Sequence, residues 1–438
     1  EIRIVPNKAV PIKLGARNEP TVRPGFLARA TGACASDNRL EGPTGLKTVL
    51  RLRKSMNQRA YLDHNATSPL RPEVREAMNG AFDLVGNPSS VHAEGRAARA
   101  AIEEARIKVA ALVNARPEDV IFTSGGTEAN ALALASPAGR TFWKAFISSI
   151  EHPSVLSGGR FTSGVRSVLP VTGEGVVDLD GLARLLADEV PKEGRPFVSL
   201  MAANNETGAV QPIAEAAGLV HEAGGVLHTD AVQMAGRLPL DMSALGADLL
   251  TLSAHKIGGP KGVGAVVLAD GASVQPLMTG GGQEGRHRPG PENVAGIVGF
   301  GVAAELAARE VSTMGEVARL RDALERGLQD ITPDAVVFSQ NAPRLPNTSL
   351  LAVPGLKAET LVIGLDLAGV SVSAGSACSS GKVETSHVLT AMGASPEVAR
   401  AAIRVSLGFR SCDNDIKSFL TAFGDLVKRQ RKDEKAAA

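Results

Sequence analysis

The sequence predicts an α/β fold built on a mostly parallel, doubly wound sheet, and three observations lead there. Short, continuously apolar runs of strand length alternate with longer segments whose apolar residues recur at helical spacing. Buried strands separated by amphipathic helices belong to parallel sheets rather than to one-sided antiparallel ones. Polar, glycine-containing segments follow the apolar runs, at the carboxyl ends of strands, where such sheets place their ligands. With 438 residues, 44% hydrophobic and only 3% aromatic, the chain holds two or three domains' worth of core, made mainly of aliphatic side chains. Its 47 glycines and 25 prolines are spread out, as turn punctuation is in a globular protein.

Taken in order, residues 1–55 stand apart. They mix Pro, Gly and Arg without sustained periodicity. They carry eleven Lys/Arg against four Asp/Glu, a balance of +7 that leaves −6 for the rest of a chain whose net charge is +1. The first methionine is Met56. An unstructured basic tail, a targeting peptide and a stretch foreign to the natural protein are the three readings. The first and last are preferred, because a transit peptide is richer in Ser and more clearly amphipathic. Helices are expected over 71–82 and 95–114, the second closing near Asn114. Residues 119–126 read as a short strand running into a glycine turn. Further strands are expected at 141–149, 197–205, 225–232, 249–256 and 262–269, with a helix over 212–224. A long helical stretch, 294–330, reads as a connector to a second, smaller α/β domain. That domain has strands near 348–353 and 370–373 and a terminal helix over 412–429. No internal repeat is visible.

Composition removes several classes. A net charge of +1 argues against a nucleic-acid surface as the main business. No apolar run approaches the roughly 20 residues of a membrane-spanning helix, and no secretory signal pattern is visible. Cys34, Cys378 and Cys412 are too widely spaced for a disulfide framework or a metal-ligand cluster, so a reducing, cytoplasmic setting is expected.

The chemistry-bearing residues sit where the fold expects a ligand. SGGTEAN (124–130) follows one strand and opens a helix, whose amino terminus offers unpaired N–H groups to an anion. Alone it is weak, since a Gly-Gly turn before a helix is commonly only a turn. In HTDAVQ, Asp230 ends an apolar strand, where it either caps a following helix or partners a positively charged heterocycle nitrogen. LSAHKIGGPKGVG places Ser253, His255 and Lys256 at another strand end. A lysine there is usually solvated, but one packed among apolar and glycine neighbours loses its proton more easily and forms an imine. A phosphate cradle, an Asp and a Lys on successive strand ends are the three holds that pyridoxal phosphate requires.

The motifs YLDHNATSPL, SGGTEAN, EHPSV, NNETG, HTDAVQ, SAHKIGGPKG, SAGSACSS and IRVSLG, in that order, resemble the cysteine desulfurases of the NifS/IscS group. The similarity runs from about Tyr61 to about Val427. It implies the fold type I architecture of the pyridoxal-phosphate enzymes: a large domain with a mostly parallel seven-stranded sheet and a smaller C-terminal α/β domain. The expected divisions are a disordered or foreign extension over 1–55 and a segment 56–70 packing with the small domain. A cofactor-binding domain over 71–310, a small domain over 311–430 carrying the cysteine loop, and a tail over 431–438 follow. By the same resemblance Lys256 is the Schiff-base lysine, Asp230 the pyridine-nitrogen partner, and Gln233 the donor to the phenolic oxygen. Gly126, Thr127, Ser253 and His255 hold the phosphate, and His152 stacks on the ring and moves protons. Asn205 touches cofactor or substrate, and Arg404 grips the substrate carboxylate. Taken alone, His152 would read as a structural histidine and Arg404 as half of an ordinary salt bridge. Cys378, in a small, polar, glycine-containing loop, is the sulfur-accepting nucleophile and a transient iron–sulfur ligand; outside this setting it would read as a small buried hydrophobe.

The resemblance further implies a homodimer, L-cysteine as substrate, L-alanine and a Cys378 persulfide as products, and an iron–sulfur scaffold or other sulfur acceptor as partner, with no nucleic acid or membrane partner. Two positions depart from the pattern. Pro291 stands where the group has a threonine that offers a hydroxyl and an N–H to the neighbouring subunit's phosphate, a loss Arg288 could compensate. Ala254 replaces a glycine. A selenocysteine lyase, an aminotransferase on the same scaffold and a catalytically idle assembly partner are the rival readings. A dinucleotide-binding dehydrogenase is disfavoured by the lack of a strand-linked GxGxxG with a downstream acid.

Overall fold

The computed structural model describes residues 59–135, 142–157, 159, 161, 163–189, 195–375 and 385–437. The extension 1–55 and the segment holding Cys378 lie outside the described residues, as does Cys34. A two-residue strand, β1 (Ala60–Tyr61), opens the described chain. The central sheet follows, from β2 (Val120–Thr123), β3 (Phe142–Ser148), β4 (Arg166–Leu169), β5 (Arg195–Ser199), β6 (Val226–Asp230), β7 (Leu249–Ser253) and β8 (Gly264–Leu268). Its order is β2-β8-β7-β6-β5-β3-β4, and β8 alone runs against the other six.

Continuous apolar runs make sense here because successive strand residues feed two separate cores. Phe122, Phe146, Val198, Leu227 and Leu250 enter one core with Ile102, Val109 and Phe300 from the helices Ala93–Leu112 and Val294–Glu310. Their neighbours Ile121, Ile147, Phe197, Val226 and Leu249 enter the other, against Leu132 and Ala133 of the helix Gly126–Ala133. Strand β4 escapes the sequence reading because it lies at the sheet edge. It offers no apolar run, and Val168 is 66% exposed.

A second, antiparallel sheet is ordered β12-β13-β10-β9, formed by β9 (Val336–Val337), β10 (Thr348–Ala352), β12 (Ser373–Ala374) and β13 (Ala402–Ser406), while β11 (Val370–Ser371) pairs in parallel with β1. Leu320, Leu324, Phe419 and Phe423 pack beneath it with Ala60 and Leu62. The helical stretch expected over 294–330 is in fact broken. Helix Val294–Glu310 passes through a 3-10 turn, Val311–Thr313, into helix Met314–Ile331. The hydroxyls of Ser312 and Thr313 donate back to the carbonyls of Arg309 and Glu310, which competes with the helical ladder. The terminal helix runs Asp413–Ala437, longer than expected. Among the described residues no helix is long and apolar enough to cross a membrane.

Candidate active site

Strands β2, β3, β5, β6 and β7 end on one edge of the central sheet, and there a cavity of about 340 Å³ opens. It is lined by Gly126, Thr127, His152, Asn205, Asp230, Gln233, Ser253, His255, Lys256 and Arg404, so the structure brings together every expected site residue that it describes. Cys378, and with it the iron–sulfur ligand expected at that position, lies outside the described residues.

Lys256 closes the 3-10 turn Ala254–Lys256 that follows β7. Its amine donates to the main-chain oxygens of Asn65 at 2.5 Å and Ala66 at 3.0 Å. Neutral carbonyls replace hydration only in part. Burial, then the neighbouring Arg404 and Arg237, bring its pKa down to about 7 against the opposing pull of Asp230 and Asp63. An amine with that pKa is largely a free base at mildly alkaline pH, the form in which lysine attacks a carbonyl.

Asp230 ends β6 and is buried. Turns, not a helix, follow it, so its carboxylate caps nothing. One oxygen accepts from Val232 N at 3.0 Å and the other from Asn130 Nδ2 at 2.7 Å. At the mouth of helix Gly126–Ala133, Gly125 has φ +157°, which brings the turn into a helix amino terminus without a side chain in the way. Ser253 Oγ, across from Gly126, is buried without a hydrogen-bond partner in the structure. Arg404 Nε is likewise buried and unpaired, although its other nitrogens reach Asp63 Oδ1 at 2.8 Å and Asn205 O at 3.0 Å. Orphaned buried donors are uncommon, and both belong to residues that line the cavity.

His152 caps the turn Pro153–Leu156, its Nδ1 accepting from Ser154 N at 3.2 Å. That occupies Nδ1 and leaves the Nε2 side of the ring to the cavity. Burial, with Lys256 and His387, lowers its pKa despite Asp230. His255 pairs with Thr67 Oγ1 at 3.1 Å, and burial followed by Lys256 and Lys261 lowers its pKa to about 4. Gln233 donates to Asn65 O at 3.1 Å and accepts from Arg237 at 2.6 Å. Arg288, suggested as a substitute for the group's threonine at 291, is held by Glu128 at 3.1 Å. Cys412 is exposed.

Sequence reasoning passed over Asn65, Asn130, Ser154 and Asp63. Asn65 and Asp63 lie inside YLDHNATSPL, Asn130 closes SGGTEAN and Ser154 lies in EHPSV, so motif membership was the available signal. The contacts that bring them to the site span between 24 and 341 residues of chain, and no local spacing reveals them.

The residues fit pyridoxal phosphate: a lysine whose pKa burial lowers, a buried carboxyl side chain for the ring nitrogen, and a helix amino terminus with an unpaired serine hydroxyl for the phosphate. This fold and this site define the class. The chain belongs to the class-V aminotransferase family, whose pattern matches residues 60–419. It is 41% identical over 384 residues to the cysteine desulfurase IscS of Dictyoglomus turgidum, covering 86% of this chain and 96% of that protein. To a cysteine desulfurase of Cereibacter sphaeroides it is 42% identical over 385 residues, with 85% and 97% covered. A NifS-like protein from Rickettsia africae has the same fold, with a TM-score of 0.78 and 37% identity across 85% of this chain and 100% of that one.

Proposed function

We propose that the chain is a cysteine desulfurase, a pyridoxal-phosphate enzyme that removes sulfur from L-cysteine and leaves L-alanine. Identity of about 40% to cysteine desulfurases along 85% of the chain, joined to the cavity at the strand ends, carries this reading. When bound, the cofactor supplies an electron sink for the bonds at the substrate's α carbon. In this reading Gly126, Thr127, Ser253 and His255 hold the phosphate and Asp230 the ring nitrogen. Gln233 serves the phenolic oxygen, His152 lies over the ring, and Asn205 steadies cofactor and substrate. Arg404, which lines the cavity, grips the substrate carboxylate. Lys256 anchors the cofactor and, once free, moves the α proton with His152 as alternative base. The Cys378 thiolate attacks the substrate sulfur as the Cβ–S bond breaks and keeps that sulfur as a persulfide; the bond's electron pair stays with the substrate carbon, which takes up a proton to become alanine's methyl group. A sulfur acceptor such as an iron–sulfur scaffold then removes the sulfur, with Cys378 a transient cluster ligand. A cytoplasmic homodimer, with residues 71–310 as the cofactor-binding domain and 311–430 as the smaller one, completes the proposal.

The test is incubation with L-cysteine and a reductant, with alanine and sulfide measured together. The wild type should yield both in equal amounts. Lys256→Ala should lose the absorbance of the lysine-linked cofactor and all turnover, and Cys378→Ser should keep the cofactor's colour but release no sulfide. Wild-type sulfide release by the serine variant overturns the role of Cys378; a wild type that makes no alanine overturns the activity.

A further inference from the structure

Asp230 and His152 approach the cavity from different strand ends, yet one buried side chain touches the supports of both. Asn130 has three hydrogen-bonding tasks. Its Oδ1 accepts from Thr251 Oγ1 at 2.6 Å, and its Nδ2 donates to Asp230 Oδ2 at 2.7 Å and to Ser154 Oγ at 3.0 Å. Ser154 Oγ in turn lies 2.7 Å from His152 Nδ1. A threonine hydroxyl has one proton to give. Given to Asn130 Oδ1, it sets the amide one way round, with its NH₂ toward Asp230 and Ser154. Ser154, accepting from Asn130, then donates its own proton to His152 Nδ1.

Behind Thr251 the chain continues. Its Oγ1 lies 3.5 Å from His228 Nε2, and His228 Nδ1 lies 2.8 Å from Ser199 Oγ. His228 is fully buried, and burial lowers its pKa to about 4. It stays neutral, with a ring N–H available to Thr251 and a lone pair for the Ser199 hydroxyl. Donor order is therefore the same along the whole network, and each member supports the next.

We infer that Asn130, oriented by Thr251, is a positioning residue that holds Asp230 as a hydrogen-bond acceptor and, through the Ser154 hydroxyl, reinforces the His152 tautomer with Nε2–H toward the cavity that the Ser154 N–H already favours. Turned over, the amide would present its oxygen to the carboxylate and leave Ser154 without a donor. The inference rests on the pyridoxal-phosphate reading of the cavity but not on which amino acid is the substrate.

Thr251→Val keeps the shape of the side chain and removes the hydroxyl, Thr251→Ser returns the hydroxyl, and Asn130→Ala removes the amide. On the cofactor-loaded protein, the measurements are cofactor dissociation, the pH titration of its absorbance, and kcat and KM for cysteine. The valine and alanine variants should bind pyridoxal phosphate about ten- to a hundredfold more weakly, the usual scale for losing an orienting partner. They should also shift the midpoint of the absorbance titration and lower kcat while KM changes little. The serine variant should restore all three. Cofactor affinity and titration left at wild-type values in both variants overturn the inference, as does a lowered melting temperature unaccompanied by either change. If the wild type makes no alanine from cysteine, the proposed activity fails, while affinity and titration still decide the role of Asn130.

Discussion

Lys256 shows how burial, rather than residue type, creates a reactive group. Its pKa of about 7 stands against an ordinary 10.5, with desolvation the first cause. Between those values the unfolded chain keeps a proton that the folded chain has released, so folding stability rises with pH across that window. Below about 7 both states carry the charge, and the folded state bears its full burial cost. The melting temperature of cofactor-free wild type should therefore climb between pH 7 and 10 relative to Lys256→Met, whose side chain has no proton to lose. Parallel curves for the two proteins would contradict a depressed lysine. Two other buried acids lie near the site and neither was singled out from the sequence. Burial pushes Glu151 well above the usual carboxylate range and Glu206 to about 7, the latter accepting from Ser386 at 2.6 Å.

At the scale of elements, the turn after β7 is braced from outside the sheet. Arg71 donates to Ile257 O at 2.9 Å, forks onto both oxygens of Glu310 at 2.6 Å, and lies 4.0 Å over the ring of Phe409. It thereby ties the residue after Lys256 to the end of helix Val294–Glu310. Gly258 makes this possible. Its φ is +83°, and a Cβ there would come within 2.7 Å of Arg71 Cγ. Gly258→Ala should cost about 1–2 kcal/mol for the left-handed backbone alone, plus displacement of Arg71. Urea unfolding should show the lower midpoint, and cofactor retention should fall because the strained turn carries Lys256. An alanine variant as stable as wild type would show that the turn has another conformation to use.

For the molecule as a whole, a cavity whose lining residues include two with orphaned donors and a lysine of lowered pKa is a site whose cost is borne by the fold until a ligand arrives. Anything bound by the folded chain alone stabilises it, by about 2.7 kcal/mol at a hundred times its dissociation constant. Cofactor-free protein titrated with pyridoxal phosphate should show a melting temperature that rises with concentration, and Lys256→Ala should shorten the rise. Free phosphate should give a smaller gain, through the phosphate-holding residues Gly126, Thr127, Ser253 and His255 only. A melting temperature indifferent to the cofactor would remove it from this cavity.

The alternation of apolar runs with amphipathic segments was enough to specify the parallel sheet, because strands buried on both faces are mostly apolar along their whole length. Motifs at strand ends singled out Lys256 and Asp230, and the family resemblance added Arg404 from within β13, because each supplies a residue type that the chemistry demands. Edge strand β4 and the break at Val311–Thr313 were hidden, since one fully buries only Leu169 and the other depends on hydroxyl-to-carbonyl bonds that composition does not display. The depressed lysine, the orphaned Ser253 hydroxyl and the amide of Asn130 arise from contacts between residues far apart in the chain. Folding sets how much water each keeps and which donor faces which acceptor, and no local pattern of letters encodes that.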